Sequence, residues 1–526
     1  MGLLQKQETP QAEKNVLRWI LESAGPLYGI MIFGILCICI FLSHIEFGRD
    51  FLCRNCISAA VLIPIGCFFA AGLFAFSEQF PTRLKRDGKL MLLAASVLLL
   101  FIQIYAAWNY YFITDWDVMR IINLSDAVVH GRDLSEFSFY FSRCPNNLFI
   151  SFIFTCITRF VHFIGFHDYE YFGLICFQCI INTLTGAVLA FVIQERLKDF
   201  RFSVFGYLLY VLLVGFSPWV VVPYTDVTGL IFPILIYAIY LKRHSMKNRI
   251  LPWFFIAFLS GVGYYIKPHA LILTIAIVFV EFLNRFPRIF TRRILKPLAA
   301  IGSGAVLGLA LSQLAIVSMG VTIDHELMFD IPHFFMEGMN DYDMGDYSEE
   351  DVTYSGSFNT LAERNQANLK RAFYRIKTMG FIGTMKLMVR KTLTNYYDGT
   401  FAWGTEGVFF KEVLEEKATP LCSFFRSLFY TRDYASVGKH YALWANFQQM
   451  IWFTILLISA FSAYGKCDPE KAVAFFGVIG ITVFELIFEA RSRYLYTFLP
   501  FYVLLAVYGA RSVHLLLQSR NVREKS

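Results

Sequence analysis

The chain has 526 residues, of which 56% are hydrophobic and only 17% charged, with a formal net charge of +7. Soluble globular chains carry about 25% charged residues; the mean hydropathy of +0.52 and the 56 phenylalanines exclude a disordered chain, a coiled coil and a secreted disulfide scaffold. Length alone would suggest several soluble domains of about 150 residues, but the apolar residues run in long blocks, and blocks of about 18 or more read as membrane-spanning helices.

Residues 1–26 are mixed and polar, and no small-residue cleavage site follows the first apolar run. That run is therefore expected to remain as an anchor. The predicted spans are 27–44, 58–77, 90–112, 171–194, 203–222, 227–241, 251–266, 269–283, 297–320, 448–465, 471–488 and 494–517. The run 147–165 is also apolar, but Arg159 and His162 interrupt it.

Charge decides how that run is read. With the amino terminus inside and 147–165 on the membrane surface, about 25 Lys and Arg fall in inside segments and 8 in short outside segments. This is the asymmetry that the positive-inside rule requires. Letting 147–165 span would invert every loop from 195 to 320 and erase it. The run is therefore predicted to be an amphipathic helix on the outer leaflet, with both termini cytoplasmic. The positive net charge marks cytoplasmic loops and not nucleic-acid binding. The eleven cysteines lie mostly inside apolar runs and imply no disulfide framework.

The fold class predicted is an all-α polytopic membrane protein of about 12 transmembrane helices, with an interfacial helix and a large external region. Its divisions are a cytoplasmic start and added hairpin (1–89), a transmembrane core (90–320) with a first external loop at 113–170, an external loop or domain (321–447), and the terminal spans with a cytoplasmic tail (448–526). Helical periodicity around 361–393 argues that the long external segment is ordered. Internal repeats and low-complexity tracts are not evident.

Several polar clusters fall on the predicted outer side. Asp115-Trp116-Asp117 follows the third span; two carboxylates there suit a general base or a pair holding a divalent cation, or simply a loop that caps the next helix. Pro223-Tyr224-Thr225-Asp226 ends another span. Lys267-Pro268-His269 forms a hairpin tip, where the lysine is either functional or snorkelling. Glu489-Ala490-Arg491-Ser492-Arg493-Tyr494 forms the last hairpin. Its two arginines defy the positive-inside bias, and a guanidinium can grip two phosphate oxygens at once; a helix-end pair with Glu489 is the plainer reading. Tyr140-Phe141-Ser142-Arg143-Cys144-Pro145-Asn146-Asn147 leads into the surface helix, and its asparagines suit sugar hydroxyls or helix caps.

Other features carry less. The acidic stretch Asp341–Asp346 and Glu349–Asp351 fails the ligand register of a calcium loop and reads as a solvated loop. His325 and His333 match no zinc spacing. Cys53-Arg54-Asn55-Cys56 lacks a second ligand pair. Walker A and dinucleotide-binding motifs are missing.

The strings YFSRCPNN, PYTD, IKPH and EARSRY, with the aromatic-flanked aspartate after an early span, resemble the GT-C superfamily of glycosyltransferases. The likeness is to the bacterial protein-mannosyltransferase-like branch, and covers most of residues 90–517. It implies a donor sugar on a polyprenyl phosphate, a cell-envelope acceptor (glycopolymer, lipid or protein) and catalysis at the outer face of the cell membrane. The catalytic carboxylate falls on Asp117, with Asp115 as a second acid. Arg491, Arg493 and Lys267 are expected to hold the donor phosphate. Asn146, Asn147, Tyr224, Asp226, His269 and Glu489 are expected near the sugar or acceptor. The His-Pro-Pro-Leu-like entry of protein mannosyltransferases is replaced here by Cys-Pro-Asn-Asn. A lipid-linked polysaccharide polymerase or ligase is the alternative within enzymes. A transporter or flippase is the alternative outside them, although transporters place charges at the membrane midplane.

Overall fold

A computed structural model describes residues 11–43, 57–83, 85–286, 295–404, 410–412, 419–430 and 438–523. The Cys53–Cys56 motif lies outside them. Each of the twelve predicted spans coincides with helix. Among the described residues, eight helices are long and apolar enough to cross a membrane, or nine if the bent pair Ser135–Arg143 and Pro145–Phe163 is one span. Phe200–Gly215 and Leu251–Ile266 are apolar but shorter. Ala270–Arg285 carries Glu281, and Pro469–Ile487 carries Glu470 and Glu485. The last-but-two span begins earlier than expected, at Tyr441.

A helix suits this composition because it satisfies every backbone group internally, which an apolar surrounding demands. The helices Ala59–Ser77, Arg86–Tyr110 and Leu295–Ser318 turn large apolar residues outward, among them Phe68, Phe101 and Leu314. Leu499–Arg523 is the opposite case: Leu499 and Phe501–Val507 are wholly buried, so it runs through the centre. Leu251–Ile266 and Leu295–Ser318 pack backbone to backbone. A Cβ on Gly304 would lie 2.2 Å from the Phe254 carbonyl oxygen, and one on Gly308 2.5 Å from that of Phe258. Small residues four apart are what such close crossing needs.

One span is broken. The helix Phe200–Tyr210 widens into a π-turn at Val211–Gly215, then gives way to a 3-10 turn at Pro218–Val221 and to Thr225–Gly229. Buried amides from three other helices fill the carbonyls this frees. Gln448 donates to Leu212 (3.0 Å), Asn182 to Val214 (2.9 Å) and Gln103 to Gly215 (2.6 Å). The break lets the chain deliver Tyr224 and Asp226 to one end of the bundle.

The run 147–165 forms the helix Leu148–Phe163, bent by 114° from the short helix before it. One face is buried through Leu148, Ser151, Phe154, Thr155, Thr158 and Val161, while Phe160 and Phe163 are exposed.

The segment 321–447 is helical around 361–393, where the periodicity suggests it, and in much of its remaining described part. Ile331–Gly338 and Glu349–Gly356 pack on the long helix Leu361–Tyr396. That helix breaks at Gly380 (φ +61°), and its second half enters the bundle, where the Tyr396 hydroxyl meets Thr482 and Tyr502. The acidic stretch is only in part the solvated loop that its composition suggests: Glu349 and Glu350 are exposed. Asp351 is fully buried and paired with Arg375 at 2.7 Å, and Asp346 pairs with Arg491 at 3.2 Å. Among the described residues the only strands are Ile113–Thr114 and Phe410–Glu412, one short antiparallel pair in an otherwise helical molecule.

Candidate active site

The helix Trp116–Val129 opens on two acids, which complement the positive end of a helix dipole. Asp115 sits at the cap in extended conformation and is exposed. Trp116 holds φ at +57°, a costly conformation for a bulky residue. The turn lays its indole edge-on against the Tyr224 ring at 4.9 Å. Asp117, in the first helical turn, is partly buried and accepts a hydrogen bond from the Tyr224 hydroxyl at 3.3 Å. The Tyr140 hydroxyl also lies beside Asp117. Tyr140 is fixed in turn by Asn147, whose amide donates to it at 2.7 Å.

Behind this aromatic layer lies a buried charge cluster. Lys267 pairs with one carboxylate oxygen of Asp226, and Arg493 approaches the other at 3.3 Å. Asp226 is 2% exposed, Lys267 7% and Arg493 7%. The Arg493 guanidinium lies over the rings of Trp116 (4.7 Å), Tyr494 (5.0 Å) and Tyr224 (5.7 Å). Lys267 lies 5.0 Å over Tyr494. Ring faces supply the negative quadrupole that a desolvated cation needs. The triad, fully ionised, holds two cations against one carboxylate and so retains one positive charge. Burial pushes the Lys267 ammonium below the ordinary lysine value, against the pull of Asp226.

A second shell of acids stands beside it. His269 packs on Phe484 and Tyr494 and lies 3.7 Å from the buried Glu485. Burial, then the charge of Asp346, raises the Glu489 carboxyl. Glu337 is raised well above its ordinary value by burial and by Glu489 and Asp351. Lys391 donates to the carbonyls of Gly338 (2.8 Å) and Phe488, tying the helix Ile331–Gly338 to the end of Pro469–Ile487. Burial drops its pKa to about 7.

The structure therefore brings Asp117, Tyr224, Asp226, Lys267, His269, Glu489 and Arg493 into one region, with Asn147 one side chain away. Arg491 faces the segment after Ser318 through Asp346, to the side of the triad. Asn146 and Asp115 are exposed at its rim. Among the described residues, Asp115 and Asp117 belong to no group of three metal-ligating side chains. The sequence reading left Glu337, Glu485 and Lys391 unmarked. Acids and a lysine inside apolar or amphipathic runs were the signal that could have exposed them.

A family model described as a conserved hypothetical integral membrane protein matches residues 23–513, and the chain belongs to that family. It is thus membrane-embedded. No curated protein and no solved structure matches it.

Proposed function

We propose that this protein is a GT-C-like glycosyltransferase with about twelve transmembrane helices. It moves a sugar from a polyprenyl-phosphate donor to a hydroxyl of a cell-envelope acceptor. In this reading it sits in the cell membrane with cytoplasmic termini, and the site faces outward. The observation that carries the reading is the juxtaposition of a half-exposed carboxylate, Asp117, with a buried cationic pair, Lys267 and Arg493, across the Trp116–Tyr224 wall.

Asp117 takes the proton of the acceptor hydroxyl as its oxygen attacks the anomeric carbon. The bond from that carbon to the phosphate oxygen breaks, and the configuration inverts. The sugar passes through an oxocarbenium-like transition state. The leaving lipid phosphate is a weak base and needs no strong acid, but its growing charge needs a fixed counter-charge. Arg493 and Lys267 supply it without reorganising, since the ring stacking and Asp226 already hold them. Tyr224 links the two halves: its hydroxyl orients Asp117 and its ring covers Arg493. Asn147 and Tyr140 line the acceptor side, and the segment after Ser318 keeps water from the donor.

The test is Asp117→Asn in proteoliposomes supplied with a polyprenyl-phosphate sugar, following release of the lipid phosphate. A positioned base contributes about 10²–10⁴-fold, so turnover should fall by that factor while thermal stability holds. Undiminished transfer would overturn the assignment.

A further inference from the structure

Three helix ends meet away from the site described above. His130 caps the end of Trp116–Val129, and Gly131 (φ +65°) turns the chain out of it. His162 lies in the last turn of Leu148–Phe163, which Gly165 (φ +89°) closes. Glu170 opens Glu170–Leu197, just after the 3-10 turn that begins at His167. These ends bring one ligand atom each of His130, His162 and Glu170 within 4.8 Å of one another. His162 Nδ1 lies 2.8 Å from a Glu170 oxygen and 2.9 Å from His167 Nδ1. The His130 and His162 rings sit edge to face at 5.5 Å.

We propose that His130, His162 and Glu170 bind one divalent transition-metal ion of the zinc type, with His167 beside them and the fourth position open to water. Two imidazoles and a carboxylate are a donor set that zinc accepts at about 2.0–2.2 Å. Tetrahedral ligand atoms at that radius stand about 3.3 Å apart, so the His162 and Glu170 atoms, at 2.8 Å, need to open by only a few tenths of an ångström, while His130, within 4.8 Å of both, closes in. The group around His130 follows a pattern that metal sites use. Its Nδ1 lies 2.9 Å from the Asp126 carboxylate, which Arg132 also engages. That hydrogen bond leaves Nε2 as the nitrogen with a lone pair to give, and orients the ring. His130 and His162 are each 41% exposed at the side chain, so an ion can enter from solvent, while Glu170 at 14% anchors the floor.

The ion is separate from the proposed chemistry. His130 lies thirteen residues along the helix from Asp117, or about 20 Å at 1.5 Å per residue. Its role is to clamp the end of the helix that presents Asp117 to the corner where residues 164–169 join the other two helix ends.

The full chain, purified in detergent, stripped with chelator and titrated with Zn²⁺, should bind one ion. Cobalt in its place should give the visible bands of a four-coordinate nitrogen–oxygen site. His162→Ala and His130→Ala should each weaken binding at least about tenfold, and Asp126→Asn by about 10–100-fold as an outer partner. His325→Ala should leave it unchanged. Zn²⁺ should raise the melting temperature of the native chain and protect residues 113–170 from protease, and should do neither in His130→Ala. Unsaturable binding, or equal binding by the native chain and both histidine variants, would overturn the proposal. His130→Ala changes an exposed ring, so it keeps the test valid if His162→Ala fails to fold.

Discussion

Two groups of charged side chains sit at opposite ends of the same helices. Asp226 precedes the helix Ile231–Lys242, while Lys242 and Arg243 end it. His269 caps the start of Ala270–Arg285, and Glu281 and Arg285 lie at its end. Asp468 caps the start of Pro469–Ile487, and Glu485 lies in its last turn. At the end marked by Lys242, each cation meets an acid directly. Arg196 grips Asp468 at 2.6 Å, Arg243 lies between Glu470 (2.8 Å) and Glu281 (3.2 Å), and Lys242 meets Glu195 at 2.6 Å. At the other end two cations share Asp226 and lie over aromatic faces, and the charges of Glu485 and Glu489 also bear on them. Direct ion pairs serve the fold. An arrangement that holds desolvated cations over aromatic faces is costly to the fold, and on the proposed reading that cost is offset when the donor phosphate binds.

That contrast can be broken at either end. The largest effect expected is on Arg493→Lys. It keeps the charge but loses the planar stacking on Trp116, Tyr224 and Tyr494. Removing one such fixed donor costs about 10²–10³-fold in rate, and transfer from the lipid-phosphate donor should fall by that order with little change in melting temperature. Retained activity would mean that the cluster around Asp226 is as structural as the one around Arg243.

Arg243→Ala tests the other side. Arg243 is 4% exposed, and removing it takes the cation between Glu281 and Glu470 away, leaving Glu281 to Arg285 and Glu470 to Arg196 at 3.7 Å. Breaking a buried pair costs about 3–5 kcal/mol. Thermal denaturation in detergent should therefore shift strongly, while the surviving protein keeps its donor KM. A rise in KM without loss of stability would reverse the roles assigned to the two ends.

The smallest effect belongs to Lys391, at the edge of the cluster around Asp226. Its pKa is about 7 when folded and ordinarily 10.5. Between these values the unfolded chain holds more protons than the folded one, so folding stability rises with pH across that window. Below it the burial penalty is complete. Lys391→Met should flatten the rise in melting temperature between pH 7 and about 10, measured as the difference from the native chain. An unchanged slope would mean that Lys391 stays charged at its two carbonyl partners.

Much of this was legible in one dimension because an apolar run is a loud background. Asp117, Asp226, Lys267 and Arg493 stood out as interruptions, and the lipid-spanning lengths placed them at one end. Their partners did not stand out. Arg493 meets Asp226 across 267 positions of sequence, and no local rule selects that pair over Arg493 with its neighbour Glu489. The buried Asp351 looked solvated, since its cations, Arg371 and Arg375, lie on a helix that seemed to belong to a surface domain. The histidine group was invisible for a different reason. Its ligands come from three helix ends whose angles no spacing encodes.

In biogenesis, the wide turn at Val211–Gly215 sets an order of assembly. Gln103 and Asn182 have entered the membrane before it is made, so the carbonyls of Gly215 and Val214 find their donors as the turn arrives. The donor for Leu212 is Gln448, 236 residues later in synthesis. Until then an acceptor stands open in the middle of the amino-terminal half, in a medium without water to quiet it. The terminal helices are therefore the keystone of the bundle. A chain halted before residue 441 exposes an unfinished centre of the kind that membrane quality control removes.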